Sequence, residues 1–214
     1  VKQPDVRGVI DLLATWGIGY AAPLTRQFEE YSEKRDLAVM EYALDKFYFE
    51  NALETIRGRT YDDRIMREMV ATEIDVTNIR SVLKVLRDRI PFEEAKEFLI
   101  PGGAVLDEKR LGMLIKAGTI RDAMKQLAGT PYEFLGKVPE ETFKQEKISV
   151  FEKELERFLI RKGIGWFFGD PLSLALAIGY VWAKYTEVTN VRIIARLKTA
   201  DVPEKTIREE LVHV

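Results

Sequence analysis

The chain has 214 residues, of which 46% are hydrophobic and 32% are charged, and its formal net charge is −2. Such a nearly neutral chain lacks the basic field that attracts nucleic acid, so we expect no nucleic-acid partner. The sequence contains no cysteine, which excludes disulfides, thiolate metal sites and a cysteine nucleophile.

The first part of the sequence predicts helices that are separated by turns. Asp5 is suited to cap a short helix that ends near Ala14, and Pro23 fits the first turn of the next helix. Two long helices follow, at about residues 36–56 and 62–89, and a glycine between them ends the first.

The predicted helix at residues 62–89 carries an apolar stripe with alternating steps of four and three positions. The stripe consists of Ile65, Met69, Val76, Ile79, Leu83 and Leu86, with Thr72 at the position between Met69 and Val76. This spacing is typical of a helix that packs lengthwise against other helices. Val70 and Val82 widen the stripe, so we expect the helix to bury more than a narrow coiled-coil seam.

The strongest break in the sequence is the stretch Ile-Pro-Gly-Gly at residues 100–103. A short helix that begins at Pro91 and ends near Leu99 is expected just before it. We therefore predict two helical domains, residues 1–103 and residues 104–214.

The second domain also predicts helices and turns only. Its helices are expected at about residues 107–115, 120–127, 139–161 and 172–198, with a final short helix that begins at Pro203. Residues 163–169 read Gly-Ile-Gly-Trp-Phe-Phe-Gly and predict a tight corner, whose aromatic rings we expect in the core rather than on a partner or membrane surface. No stretch alternates as a β-strand does, so the predicted fold class is all-α.

An internal repeat relates the two predicted domains. Residues 76–80 read Val-Thr-Asn-Ile-Arg and residues 188–192 read Val-Thr-Asn-Val-Arg, so that Asn78 and Asn190 lie 112 positions apart. Looser similarity extends the repeat over almost the whole chain. The period is far longer than the roughly 20–50 residues of solenoid repeats. It predicts a pseudo-symmetric pair of antiparallel helical units.

The repeated asparagines are the sharpest polar signal in the sequence. Asparagine disfavours helix interiors, yet it occurs at the same place in both copies. One interpretation is that the amides of Asn78 and Asn190 bind a ligand. The interpretation that we favour is that they hydrogen-bond a neighbouring helix and fix the register of packing.

An arginine follows each asparagine by two positions, and we expect it to reach a carboxylate on the preceding long helix. The predicted ion pairs are Arg80 with Asp45 and Arg192 with Glu156.

The sequence offers no set of catalytic or metal-binding residues. Its single histidine, His213, lies beside the end of the sequence, where a solvated tail is expected rather than a general base. The glycine-rich stretches lack the spacing of nucleotide-binding loops. The longest uncharged run, residues 172–183, is too short to cross a bilayer. We therefore expect a soluble or peripheral protein without catalytic residues, metal or cofactor.

Several motifs together resemble the C subunit of archaeal and bacterial A-type/V-type ATPases, a relative of the d subunit in eukaryotic vacuolar ATPases. They are residues 75–80 (Asp-Val-Thr-Asn-Ile-Arg), residues 169–172 (Gly-Asp-Pro-Leu), residues 180–184 (Tyr-Val-Trp-Ala-Lys) and residues 187–196. The resemblance implies an all-helical, funnel-like protein of three similar units, with Asn78, Arg80, Asn190 and Arg192 as structural residues. Only two units are recognisable, so the chain corresponds to roughly the last two thirds of a family member and begins inside a unit.

The resemblance also implies a function. Family members are non-catalytic components of the central stalk, peripheral on the cytoplasmic face of the membrane. They receive the shaft, which consists of the D and F subunits, rest on the c/K-type ring of membrane proteins and transmit torque between them. The alternative is a helical-repeat adaptor unrelated to the ATPase. A helical-bundle enzyme is a third possibility, which a deep pocket with converging acidic or basic groups would support.

Overall fold

The computed structural model describes residues 2–169 and 172–212, and within these ranges the chain forms helices and turns without a β-strand. The predicted all-α fold class is thereby confirmed. His213 and the Asp170-Pro171 step lie outside the described residues, as does the side chain of Phe167.

Two compact units make up the chain, and they divide between Arg57 and Gly58. The break at residues 100–103 lies inside the second unit, so the compact units differ from the two predicted domains. The domains 1–103 and 104–214 describe the sequence repeat, and their boundary stays a prediction.

The first unit contains three helices: α1 (Val6–Thr15), α2 (Ala21–Lys34) and α3 (Ala38–Thr55). The Asp5 carboxylate caps α1 by accepting a hydrogen bond from the Gly8 amide at 2.8 Å. Arg35 ends α2 in the left-handed conformation. The small core of this unit is formed by Ile10, Leu24 and Met40.

The second unit contains eight α-helices within the described ranges. They are α4 (Tyr61–Asp88), α5 (Phe92–Ala95), α6 (Glu108–Lys116), α7 (Ile120–Lys125), α8 (Glu140–Lys144), α9 (Ile148–Gly165), α10 (Leu174–Thr199) and α11 (Glu204–Glu210). Short 3-10 turns follow α5, precede α8 and follow α9, at Lys96–Phe98, Glu133–Lys137 and Trp166–Phe168.

Helix α4 is the centre of the second unit. A reciprocal capping box starts it, because the Thr60 hydroxyl accepts from the Asp63 amide at 3.0 Å and the Asp63 carboxylate accepts from the Thr60 amide at 3.1 Å. Along its 28 residues it contacts α6, α7, α9 and α10. Its predicted apolar stripe is buried apart from Met69, which is partly exposed.

The single helix predicted at residues 139–161 is wrong, because the chain forms two helices there. Helix α8 ends where Glu146 adopts the left-handed conformation with φ 47°, and the Lys147 amide then donates to the Thr142 carbonyl at 3.2 Å. This arrangement satisfies the terminal carbonyls of a helix. Glycine most often occupies such a position, so a glutamate there gave no break signal.

The corner at residues 163–169 packs differently from the prediction. Gly163 lies against the Trp182 ring of α10 so closely that a Cβ at this position would be 2.4 Å from the ring. The missing side chain therefore permits close packing of α9 on α10. Trp166 is only partly buried and Phe168 is 82% exposed, so the expectation that these two rings belong to the core is wrong.

Candidate functional site

Asn78 joins α4 to the segment that follows the 3-10 turn after α5. Its amide nitrogen donates to the Ile100 carbonyl at 2.8 Å, and its amide oxygen accepts from the Ile100 N–H at 2.8 Å. The Asn78 side chain is fully buried, so both polar ends of the amide are satisfied by one backbone residue. This pair of bonds fixes where the chain leaves α5 relative to α4.

Asn190 makes the same two bonds in the second copy of the motif. Its nitrogen donates to the Val212 carbonyl and its oxygen accepts from the Val212 N–H, both at 2.9 Å. The partner lies 22 positions after the asparagine in both copies. Asn190 is half-buried, whereas Asn78 is excluded from solvent.

A buried carboxylate, Asp75, lies one helical turn before Asn78 on α4 and is fully shielded from solvent. It accepts hydrogen bonds from the Val105 amide at 2.9 Å, the Leu106 amide at 3.1 Å and the Tyr132 hydroxyl at 3.0 Å. Asp75 therefore ties α4 to two later parts of the chain, the turn before α6 and the start of the 3-10 turn before α8.

Residue 103 must be a glycine because the Asp75 carboxylate lies directly against its backbone. A Cβ on residue 103 would lie 2.1 Å from Asp75 Oδ1 and 2.9 Å from the Leu106 carbonyl oxygen. The glycine that marks the sequence break is therefore also the residue that lets the backbone approach Asp75.

The electrostatics of the cluster follow from burial. Desolvation raises the pKa of Asp75, while the hydrogen bonds from Val105, Leu106 and Tyr132 act in the opposite direction. Burial and the adjacent Asp75 carboxylate raise the pKa of Tyr132 far above its ordinary value. The Tyr132 hydroxyl therefore stays protonated and remains a donor.

Sequence reasoning missed Asp75 as a site residue. A usable signal was present, since Asp75 is an acidic residue between Ile74 and Val76, two residues that belong on the buried side of a wide apolar face. Its partners carried no signal, because two of them are backbone amides.

The predicted ion pairs have different outcomes. Asp45 lies in α3 of the first unit and Arg80 in α4 of the second, so their pairing stays a prediction. Arg80 itself is half-buried, and its Nε is buried without a hydrogen-bond partner among residues 2–169 and 172–212.

Arg192 and Glu156 both belong to the second unit, and the structure does not bring them together. Arg192 is exposed and Glu156 is half-buried, and no ion pair joins them in the described part of the chain. An ion pair that does join two helices of this unit is Lys162 on α9 with Glu68 on α4, at 3.0 Å.

Comparison with known proteins identifies the family. The model of the family described as "ATP synthase (C/AC39) subunit" matches residues 1–210. The chain belongs to this family. The resemblance to the C subunit that the motifs indicated is thereby confirmed.

Curated relatives agree with the family match. The A-type ATP synthase C subunit of Methanocaldococcus jannaschii is 32% identical over 199 residues, which is 92% of this chain and 50% of the relative. The protein of the same name from Methanobrevibacter smithii is 29% identical over 97% of this chain and 55% of the relative. The one from Thermococcus kodakarensis is 30% identical over 81% and 47%. The chain therefore spans about half the length of the curated relatives that it matches.

Two further observations concern this member of the ATP synthase (C/AC39) family. Across residues 2–169 and 172–212, none of the helices combines the length and the apolar character needed to cross a bilayer. In the same ranges, no three His, Asp or Glu side chains lie close enough together to hold a metal ion. The polar groups that do converge, around Asp75 and the two asparagines, bind other parts of this chain.

Proposed function

We propose that this chain is part of the C subunit of an A-type ATP synthase and acts as a non-catalytic rotor element of the central stalk. In this role it joins the shaft, formed by the D and F subunits, to the c/K-type membrane ring and transmits torque between them. It would lie at the cytoplasmic face of the membrane, in peripheral contact with the ring. The observation that carries the proposal is the family match over residues 1–210, together with the name shared by the relatives.

The internal structure of the second unit supports a mechanical role. A torque-transmitting part must resist bending, and helices that are packed along their length do so because protein interiors are dense and barely compressible. Helix α4 has 28 residues, which corresponds to about 42 Å at 1.5 Å per residue. It contacts α6, α7, α9 and α10 and half of its residues are buried, so the second unit is built around one long helix.

The buried polar bonds add positional definition to this packing. Hydrophobic contacts are non-directional, whereas hydrogen bonds to a specific backbone residue fix the register between segments. Asn78 and Asp75 tie α4 to Ile100, Val105 and Leu106, and Asn190 ties α10 to Val212. The polar groups thus hold the helices in one arrangement, as a rigid coupling element requires.

A binding experiment tests the proposal. The intact gene product, carrying an affinity tag, would be incubated with the D–F shaft and, separately, with the detergent-solubilised membrane ring of the same complex. We expect both to be retained, and a tagged helical protein of similar size and charge to retain neither. Retention of neither by a gene product with a helical circular dichroism spectrum and a cooperative thermal transition would overturn the proposal.

A further inference from the structure

Helix α6 carries an exposed face on which three cations surround one methionine. Lys109, Arg110, Met113 and Lys116 are all exposed, and Met113 keeps 47% of its surface open to solvent. Because successive helical residues are about 100° apart, the three cations lie within about 60° of Met113 around the helix axis. The opposite side of the helix belongs to the core, as Leu111 does. We call Lys109, Arg110, Met113 and Lys116 the α6 ridge.

The three cations of the α6 ridge lack the ion pairs that are common on the other helices. A surface cation usually pairs with a carboxylate three or four positions away, as Lys137 does with Glu133 at 2.7 Å. No acidic residue has that spacing from either Lys109 or Lys116. Among residues 2–169 and 172–212, no ion pair involves these two lysines or Arg110.

Carboxylates close to the ridge in sequence do not neutralise it. Asp107 caps α6 by accepting a hydrogen bond from the Arg110 amide at 2.8 Å, and Glu93 pairs with Lys96 at 2.6 Å. Glu108 is exposed on the first turn of the helix, where a negative charge is favourable. The ridge therefore keeps a surplus of positive charge, although the whole chain has a net charge of −2.

A cavity of about 690 Å³ lies on one side of the ridge. Lys109 and Lys116 line it together with the apolar side chains of Phe92 and Leu99. The Lys116 ammonium lies 4.4 Å from the centre of the Phe92 ring. Gly112 also lines this cavity, and the absence of a side chain there keeps the space in front of Phe92 open.

A second cavity, of about 260 Å³, lies on the other side of the ridge. Arg110 lines it together with the buried side chains of Leu114 and Leu127. Met113 lines both cavities, and methionine is a flexible side chain that adapts to different partners. The ridge thus places exposed cations beside two spaces with apolar walls.

From these observations we infer that the α6 ridge is the docking surface for an acidic segment of a partner protein. The segment would place carboxylates against Lys109, Arg110 and Lys116 and apolar side chains in the two cavities. Charge complementarity selects an acidic partner. The cavities favour a polypeptide over nucleic acid or a flat anionic membrane surface, because a polypeptide supplies side chains as well as charge. The inference does not depend on the torque-transmitting role.

The test uses the intact gene product and two fluorescein-labelled amphipathic peptides of equal length. One peptide is built from leucine, alanine and glutamate, and in the other lysine replaces every glutamate. Fluorescence anisotropy measures binding. The double variant Lys109→Glu/Lys116→Glu reverses two charges of the ridge. The matched control, Lys144→Glu/Lys147→Glu, reverses two exposed lysines that line neither cavity.

We expect the wild type to bind the acidic peptide and not the basic one, and its affinity to fall as the salt concentration rises. The ridge variant should bind the acidic peptide at least about tenfold more weakly and should gain binding of the basic peptide. The control variant should keep the wild-type affinities. The gain of binding by the ridge variant is a result that misfolding cannot produce.

Three results would overturn the inference. The wild type could bind neither peptide, or the ridge and control variants could lose equal affinity, which would reflect the total charge alone. In the third result the protein binds vesicles of anionic phospholipid through Lys109 and Lys116 but does not bind the acidic peptide, which would assign the ridge to a membrane surface. Each of these results leaves the proposed function standing, because that function is tested by retention of the D–F shaft and the ring.

Discussion

At the scale of single residues, the second unit depends on a few polar side chains that bond distant backbone groups. Asn78 is the clearest example, because one amide satisfies both the N–H and the C=O of Ile100 in a place without solvent. An unsatisfied buried backbone group costs more free energy than the net gain from an ordinary hydrogen bond. Both repeated asparagines thus bond backbone groups of this chain, and the two side chains differ mainly in how deeply they are buried.

Replacement of these asparagines by leucine should affect stability unequally. Asn78→Leu leaves both polar groups of buried Ile100 without a partner, so we expect it to lower the free energy of unfolding by about 1–3 kcal/mol. Asn190→Leu should cost less, because Asn190 is only half-buried and water can reach its position. Urea denaturation of both variants measures the difference, and equal losses would contradict this account of burial.

The Asp75 carboxylate makes a prediction about pH. Burial raises its pKa in the folded protein above the ordinary value of 3.8, so the folded state holds the proton more tightly than the unfolded chain. The stability contributed by Asp75 is therefore fully present below pH 3.8 and is lost as the pH rises through the higher folded-state pKa. The unfolding free energy of the wild type should accordingly fall relative to that of Asp75→Asn as the pH rises from 3.8 through the folded-state pKa of Asp75.

Tyr132→Phe is a second variant that tests the same pKa. It removes one of the donors that act against the rise in pKa, so the interval over which stability falls should extend to higher pH. The pH dependence of urea denaturation would be compared for the wild type and the two variants. A wild type that gains stability relative to Asp75→Asn as the pH rises would contradict the raised pKa.

The candidate site shows what the sequence can and cannot reveal at this scale. The repeat identified Asn78 and Asn190 because a polar residue with poor helix propensity recurs in register. The role of Asp75 could not be read in the same way, since its partners lie 30, 31 and 57 positions later and two of them are backbone amides. No ion pair joins Arg192 to Glu156 in the described residues, and a match between two positions in the repeat does not determine which side chains meet.

At the scale of helices, close packing of α9 on α10 depends on Gly163. A methyl group at this position would lie 2.4 Å from the Trp182 ring, so the ring or the helix must move. We expect Gly163→Ala to destabilise the protein by about 1–3 kcal/mol, the usual cost of overpacking. Thermal unfolding followed by circular dichroism gives the measurement.

Gly165 is the matched control on the same helix. A Cβ there would have no heavy atom within 4 Å outside its own helix, and the residue has ordinary helical backbone angles. Gly165→Ala should therefore raise stability by up to about 1 kcal/mol, because alanine loses less conformational entropy in a helix. The same sign of effect for both variants would show that contact with Trp182 does not decide the outcome at Gly163.

Most helices could be predicted from the sequence because their signals are local. The spacing of Ile65, Val76 and Ile79 defines α4, and prolines or glycines mark several of the turns. The break at Glu146 could not be predicted, because a glutamate in the left-handed conformation has no compositional mark. The exposure of Phe168 was also unpredictable, since an aromatic residue at a corner gives no sign of what covers it.

At the scale of the whole molecule, the proposed role rests on rigid helical packing rather than on chemistry at a reactive group. The buried polar groups around Asp75 and Asn78 contact other parts of the chain and define position. A protein that works by its shape should be required to couple ATP hydrolysis to ion transport, but it should not be required for ATP hydrolysis itself.

The most direct test of this claim is to compare ATP hydrolysis and ion transport in the reconstituted A-type complex, with and without the intact gene product. Both activities would be measured in the same liposomes, and adding back the purified wild-type protein is the control. We predict that the complex lacking the protein hydrolyses ATP but does not transport ions, and that adding the protein back restores transport. ATP-driven ion transport that continues in its absence would contradict the account.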